Sequence, residues 1–265
     1  MPDFLDVLAQ DAKATIETGY YEHPSKAIAV PVSLRNAIPQ SQRVPIIAEI
    51  KSASPSRGII NHDFSPEKVA LAMAKGGATG ISVLTEPKHF NGSLSNLTKA
   101  RETTKLPILM KDIILSLVQL DAAVRIGANA VLLIQALYDR NYGALEVDEM
   151  LREAHSRGLE VLLEVHDEDE FQRALKSDAD LVGINNRNLK TLEVDLNVTK
   201  RLLKNTRVND KIVVSESGIN TTADIRSLSG YGAKAFLIGS AVMSNDNVES
   251  KVREFTMALS EELKV

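Results

Sequence analysis

The chain contains no cysteine among its 265 residues. That excludes disulfides, thiolate nucleophiles and Cys-ligated zinc together. No apolar run is long enough to cross a bilayer and no stretch resembles a signal peptide, so a cytoplasmic location is expected. Positive charge is not in excess: 31 Lys and Arg stand against 35 Asp and Glu, for a net charge of −4. Such a balance offers no electrostatic reason to expect nucleic acid or an anionic membrane as partner. Linkers and low-complexity tracts are missing, and no Gly-rich dinucleotide-binding turn follows the first apolar run. His23, His62, His89, His155 and His166 are scattered without ligand spacing, so no metal site is expected.

What is present is a rhythm. Candidate strands run over Ile46–Lys51, Gly80–Thr85, Ile108–Lys111, Ala130–Ile134, Glu160–Val165, Leu181–Asn185, Ile212–Ser217 and Ala235–Ile238. They start roughly every 21 to 34 residues, the length of one βα unit. Helical patterns fill the intervals. Ser65-Pro66-Glu67 opens one with an N-cap and a proline at the first helical position. Asp167-Glu168-Asp169-Glu170 opens another with acid where the helix dipole favours it. Helix stops are expected at Gly76-Gly77, Gly127, Gly158 and Gly232, and the phrases GGATGISVL, RIGANAVLL and YGAKAFLIG repeat one helix–Gly–Ala–strand pattern.

The fold expected is α/β, a parallel (β/α)8 TIM barrel over residues 46–265 with an N-terminal helical extension over residues 1–45, the whole a single domain. An open doubly wound sheet is the alternative, disfavoured by eight units in succession. In the extension, Phe4, Leu5, Leu8, Ala12 and Ile16 share one helical stripe. That helix either plugs the bottom of the barrel or caps its mouth, and the pattern favours neither.

Charged and amide residues close several of the apolar runs. Residues two apart on a strand share a face, so Glu49 and Lys51, Leu109 and Lys111, Leu162 and Glu164, and Val214 and Glu216 each point one way. With the apolar member inside the barrel, its polar companion stands one layer higher, at the mouth. Lys51, Lys111, Glu49, Glu164 and Glu216 then converge on one cavity, joined by Asn185 and followed by Arg187. A self-neutralising ion-pair network is the bland alternative. Buried ion pairs are weak stabilisers, however, so five such groups point to proton-transfer chemistry with lysines held protonated and glutamates ionised. His166 shares the face of Glu164 only if its strand extends that far.

Ser217-Gly218 after the seventh strand and Gly239-Ser240 after the eighth occupy the slots where barrels commonly bind phosphate. The segment SASPSRG (Ser52–Gly58) reads as a loop carrying Ser54, Ser56 and Arg57, able to fold over an anion. A phosphorylated small-molecule substrate is expected.

The segments AEIKSASPSRG, ISVLTEPKHFNGS, PILMKDII, LLEVHDEDE, GINNRNLKTLEVD, VSESGI and FLIGSAVM resemble, in order and spacing, those of the indole-3-glycerol phosphate synthase family. The resemblance runs from about Val44 to the C-terminus, and extra helical sequence ahead of the barrel fits it too. It implies a carboxy-lyase of tryptophan biosynthesis, using no cofactor and no metal. The reaction closes and decarboxylates 1-(2-carboxyphenylamino)-1-deoxyribulose 5-phosphate to indole-3-glycerol phosphate. Carried onto this chain, the resemblance makes Lys111 the general acid and Glu164 its partner in proton transfer during loss of water. Lys51 becomes a second cation on the substrate, and Glu49, Asn185 and Glu216 orient these groups and the substrate hydroxyls. Arg187 lies near the anthranilate end, and Phe90 and Leu189 flank the aromatic ring. Lys51, Ser54, Gly218, Gly239 and Ser240 surround the phosphate, with Ser217 beside them.

The chain departs from the family pattern at Ile113, where Phe is common, and at Asn188, where Asp is common. Ile114–Leu120 lacks the usual acidic and tyrosine residues. Tryptophan is absent, leaving Phe4 or Tyr20 to replace an N-terminal aromatic. The competing enzyme is a phosphoribosyl-ketose isomerase barrel, which works with an Asp or Cys pair. A non-catalytic sugar-phosphate-binding barrel would need no matched acid and base.

Overall fold

The computed structural model describes residues 3–51, 53–54, 58–59, 65–204, 206–208 and 210–260. The strands are β1 (Ile46–Ile50), β2 (Ala53–Ser54), β3 (Gly58–Ile59), β4 (Gly80–Leu84), β5 (Ile108–Lys111), β6 (Ala130–Ile134), β7 (Glu160–Val165), β8 (Leu181–Asn185), β9 (Ile212–Glu216) and β10 (Ala235–Ile238). Those after the β2–β3 pair, together with β1, close into a parallel barrel in the order β1-β10-β9-β8-β7-β6-β5-β4. The short β2 and β3 pair antiparallel outside it, so the segment expected as a plain loop carries a short strand pairing. Each expected barrel strand is present to within a residue.

Barrel strands are buried on both faces, which is why they read as continuous apolar runs. Register explains the exceptions. Ile134, Glu164, Gly183 and Val214 lie side by side across β6 to β9, and Asn185, Glu216 and Leu237 across β8 to β10. Partners in parallel register face the same side, so these rows are inward layers stacked toward the C-terminal end. Leucine, isoleucine and valine fill the layers beneath and leave the polar residues on top.

Helices surround the barrel and close its two ends. They are α1 (Phe4–Glu17), α2 (Leu34–Gln40), α3 (Pro66–Lys75), α4 (Leu94–Thr103), α5 (Leu117–Arg125), α6 (Gln135–Asp139), α7 (Val147–Ser156), α8 (Glu168–Lys176), α9 (Asn197–Lys204), α10 (Thr222–Gly230), α11 (Ser240–Met243) and α12 (Val248–Thr256). Ser65 caps α3 and Asp167 caps α8, as their sequences anticipate. Gly77, Gly127, Gly158 and Gly232 take positive φ at the expected helix ends. Among the described residues no helix is long and apolar enough to cross a membrane.

The extension does both of the things that its sequence left open. Phe4 and Leu8 of α1 face the cavity at the C-terminal end of the barrel, so α1 caps the mouth. Two clusters of polar contacts hold it there: Arg140 with Asp3 at 2.8 Å and Asp6 at 2.5 Å, and Asp11 with Lys88 at 2.9 Å and His89 at 2.8 Å. The second segment plugs the bottom. Glu160, first residue of β7, accepts hydrogen bonds from Ser33 Oγ, Leu34 N at 2.8 Å and Arg35 N at 3.0 Å, while the Leu34 side chain lies over Gly80 at the start of β4.

Candidate active site

A cavity of about 560 Å³ opens at the C-terminal ends of the strands, a size suited to a small organic ligand. Glu49, Lys51, Lys111, Glu164, Asn185, Arg187 and Glu216 line it together. Lys111 Nζ donates to Glu216 Oε2 at 2.9 Å and to Glu164 Oε2 at 3.3 Å. Lys51 Nζ pairs with Glu49 Oε1 at 2.8 Å. Asn185 Nδ2 donates to Glu164 Oε1 at 2.8 Å, and Asn185 Oδ1 accepts from the Arg187 N–H at 2.9 Å. Strand alternation alone places these groups on one face, and barrel closure brings that face to one point.

Burial acts differently on each group. It disfavours the Lys111 ammonium, but Glu216, Glu164 and Glu49 overcome that penalty and hold Lys111 protonated, its pKa raised. Burial also works against the Glu49 carboxylate, yet Lys51 and Lys111 outweigh it and keep Glu49 below the usual range. Glu216 goes the other way. Burial, reinforced by Glu164 and Glu49, prevails over Lys111 and pushes its carboxyl up to about 7. The expectation that all three glutamates are simply ionised is therefore corrected. Glu164 and Glu49 crowd Glu216 in a buried setting, and the Lys111 ammonium alone does not offset them.

Two glycines make room for these carboxylates. A Cβ on Gly183 would meet Glu216 Oε1 and lie 3.2 Å from its carboxyl carbon. A Cβ on Gly239 would meet Glu49 Oε1 and lie 3.0 Å from its carboxyl carbon. Gly239, expected only as a phosphate contact, is thus also the seat of Glu49. Gly183 was not anticipated, and its signal is a glycine inside an apolar strand, which marks a close approach.

Ser217, Gly218, Gly239 and Ser240 all line the cavity. Ser217 has φ 65° and Gly218 φ 80°, a turn that exposes successive backbone groups. Asn186 braces it: its Nδ2 donates to Ser215 Oγ, Glu216 O and Ser217 O at 3.0, 2.9 and 3.2 Å. Phe90 and Leu189 line the same cavity, as do Phe4 and Ile113. Tyr20 does not take the place of the missing tryptophan, because its hydroxyl donates to Thr85 O and accepts from the Leu94 N–H, both at 3.2 Å. Ser54 belongs to β2, but its side chain, with Ser56 and Arg57, lies outside the described residues.

Two carboxylates were overlooked although they too close apolar runs. Glu86 accepts from the backbone N–H groups of Lys88, His89 and Phe90 at 2.9, 2.7 and 3.0 Å, which shapes the turn presenting Phe90. Asp112 accepts from Tyr21 Oη at 2.9 Å, the Ile113 N–H at 2.8 Å and Thr85 Oγ1 at 2.5 Å. His166 lies just past the end of β7, and its ring contacts the Asn185 carbonyl rather than the cavity. Among the described residues no group of three or more His, Asp or Glu side chains is arranged to hold a metal ion.

A match to the indole-3-glycerol phosphate synthase family extends over residues 6–255. The chain belongs to that family. It is 42% identical to the indole-3-glycerol phosphate synthase of Acetivibrio thermocellus over 248 residues, covering 92% of each chain. With the synthase of Methanocaldococcus jannaschii it shares 45% over 228 residues, 84% of this chain and 83% of the relative. A thiamine phosphate pyrophosphorylase from Pyrococcus furiosus superposes with a TM-score of 0.61 at 18% identity, over 85% of this chain and 97% of that one. At that identity the likeness is one of fold alone. Membership in the synthase family makes the chain a carboxy-lyase of tryptophan biosynthesis acting on a phosphorylated small molecule, and it sets aside the ketose-isomerase reading.

Proposed function

We propose that the synthase reaction is divided among the cavity residues as follows. Lys111 is the general acid that protonates the ketone oxygen as the aromatic carbon attacks. A fixed ammonium at that oxygen stabilises the charge developing there and lowers the barrier. Loss of CO₂ then restores aromaticity. Loss of water needs an acid and a base together, and the Lys111–Glu164 pair supplies both. Lys51, held by Glu49, is a second cation toward the substrate. Asn185 and Glu216 orient these groups and the sugar hydroxyls, with Arg187 toward the anthranilate end. Phe90, Leu189 and Phe4 flank the ring.

The phosphate is assigned to Ser217, Gly218, Gly239 and Ser240, with Lys51 and Ser54 completing its surroundings. Binding energy from that remote group holds the reacting atoms in place. No added cofactor or metal enters this scheme, and residues 1–265 act as one domain.

The observation that carries the reading is Lys111: a partly buried ammonium 2.9 Å from Glu216 and 3.3 Å from Glu164, with its protonated form favoured. To test it, protein and the carboxyphenylamino-deoxyribulose phosphate are mixed without metal or cofactor and indole fluorescence is followed. Signal that vanishes in Lys111→Ala, while substrate is still bound, supports the assignment. A variant with near-normal turnover sinks it.

A further inference from the structure

A second cavity, of about 190 Å³, lies behind the first. Ile134, Glu164, Asn185 and Leu189 line both, so the two cavities adjoin at these residues. The far side mixes apolar walls, Leu5, Ala136 and Val165 among them, with polar groups. His166, Asp167 and Glu170 face it from the end of β7 and from α8, Asp139 and Arg140 from the end of α6, and Lys190 from the loop after β8. Most of these charges are already engaged: Arg140 with Asp3, Asp139 with Arg173 at 2.6 Å, Asp167 with the Glu170 N–H at 2.9 Å, and Glu170 with the His166 N–H at 2.7 Å.

His166 is oriented for proton exchange. Its Nδ1 lies 2.8 Å from the Asn185 carbonyl oxygen, which can only accept. Nδ1 therefore carries its hydrogen in either charge state, and the exchangeable proton sits on Nε2. The side-chain amide of Asn185 donates to Glu164 while its backbone carbonyl meets His166, so one residue contacts both the imidazole and the carboxylate. The ring is half-buried, and the cavity behind it is roomy and polar enough to hold water.

The reaction itself requires a proton from outside. With the substrate carboxylate ionised, ring closure, loss of CO₂ and loss of water balance only if one H⁺ is taken up. In the dehydration one proton is given and one returned, so the deficit is the proton that Lys111 hands to the ketone oxygen. After ring closure Lys111 is a neutral amine, and it must be recharged before it can serve in the dehydration, while the reacting molecule still occupies the cavity that Phe4 and Leu8 of α1 line on the mouth side.

We propose that the second cavity is a proton inlet, with His166 passing solvent protons through cavity water and Glu164 to Lys111. The imidazolium Nε2–H bond breaks as its proton moves to a water, and that water gives one of its own to the Glu164 carboxylate. The carboxylic acid then protonates the Lys111 amine 3.3 Å away, and the imidazole regains a proton from buffer or bulk water. One H⁺ moves inward and no other bond changes. The inlet rests on the acid role proposed for Lys111.

His166→Asn separates the two ideas, because its amide keeps a donor for the Asn185 carbonyl while removing Nε2. Single-turnover reactions in dilute buffer are expected to release CO₂ at the wild-type rate. Indole fluorescence is expected to follow more slowly by tenfold or more, since a positioned proton-transfer group contributes roughly 10²–10⁴-fold to a step it limits. Added imidazole is expected to restore it. Ala136→Leu, which narrows the inlet from α6 and replaces no titratable group, is expected to show the same delay without rescue. Wild-type indole formation in both variants, or slowing of His166→Asn that already affects CO₂ release or that imidazole does not relieve, overturns the inlet. Loss of the acid role is read separately, as a Lys111→Ala variant that keeps CO₂ release at the wild-type rate.

Discussion

Gly183 contributes by the side chain it does not have. Glu216 starts on β9 and must reach Lys111 on β5, and its carboxylate passes over the bare Cα of Gly183 on β8. Gly183→Ala would push that carboxylate aside while leaving the strand paired. We expect kcat to fall by about 10², the scale on which a misplacement of about 1 Å is felt, with the far-ultraviolet circular dichroism unchanged. Wild-type kcat in this variant would show that Glu216 needs no such seat. Glu49, Lys51, Lys111, Glu164, Asn185 and Glu216 were legible from strand alternation, because a charge closing a buried run needs a partner or a use. Gly183 was not, because what it accommodates comes from another strand. The raised pKa of Glu216 was equally hidden, since it depends on how many carboxylates share the cavity.

At the scale of elements, α1 is the piece whose position decides part of the binding cavity. Its helix is amply specified: Asp3 and Asp6 form a capping box, and Leu5, Leu8, Ala9 and Ala12 are buried. Its ties to the rim, Arg140–Asp3 and Asp11–Lys88, are partly exposed ion pairs, each worth about 0–1 kcal/mol. Apolar contact through Phe4 and Leu8 therefore matters more than charge in holding it over the mouth. Phe4 packs edge-on against His89 with ring centroids 5.6 Å apart. Phe4→Ala is expected to raise KM about tenfold, equivalent to 1.4 kcal/mol, with kcat retained because no reacting group moves. Steady-state kinetics check it, and a drop in kcat at unchanged KM would place Phe4 in the chemical step instead.

For the whole molecule, the two ends of the barrel divide the work. Chemistry gathers at the C-terminal end and the N-terminal end is sealed, the usual separation in such barrels. Glu160 holds the bottom plug by capping α2 through the N–H groups of Leu34 and Arg35. Glu160→Ala should cost about 1–2 kcal/mol in urea unfolding, as loss of a helix cap does, with kcat intact. A catalytic defect of that variant would contradict the division. Stability also carries a pH signature from the other end. Burial pushes Asp112 up to about 7 from its usual 3.8, despite hydrogen bonds from Thr85, Ile113 and Tyr21. Glu216 rises to about 7 as well. Between about pH 4 and about 7 the folded state holds protons that the unfolded chain has lost, so these groups' contribution falls as pH rises through that window. Asp112→Asn, whose amide mimics the protonated acid, should flatten the decline by up to about 1.4 kcal/mol per pH unit. An unchanged slope in the variant would refute the shift.

The repeated strand-to-helix phrases, capped helix starts and charged strand ends specify a parallel barrel and its inward polar layer, because these are properties of period and local backbone preference. The antiparallel pairing of Ala53–Ser54 with Gly58–Ile59 and the two destinations of the first 45 residues depend on surfaces that exist only after closure. An apolar stripe records that a helix must be covered, and it does not say by what. Pairing distances, the bare seats at Gly183 and Gly239, and the second cavity behind Glu164 arise between strands and loops distant in sequence. They depend on three-dimensional closure, which brings charges from separate βα units within hydrogen-bonding reach in a buried environment.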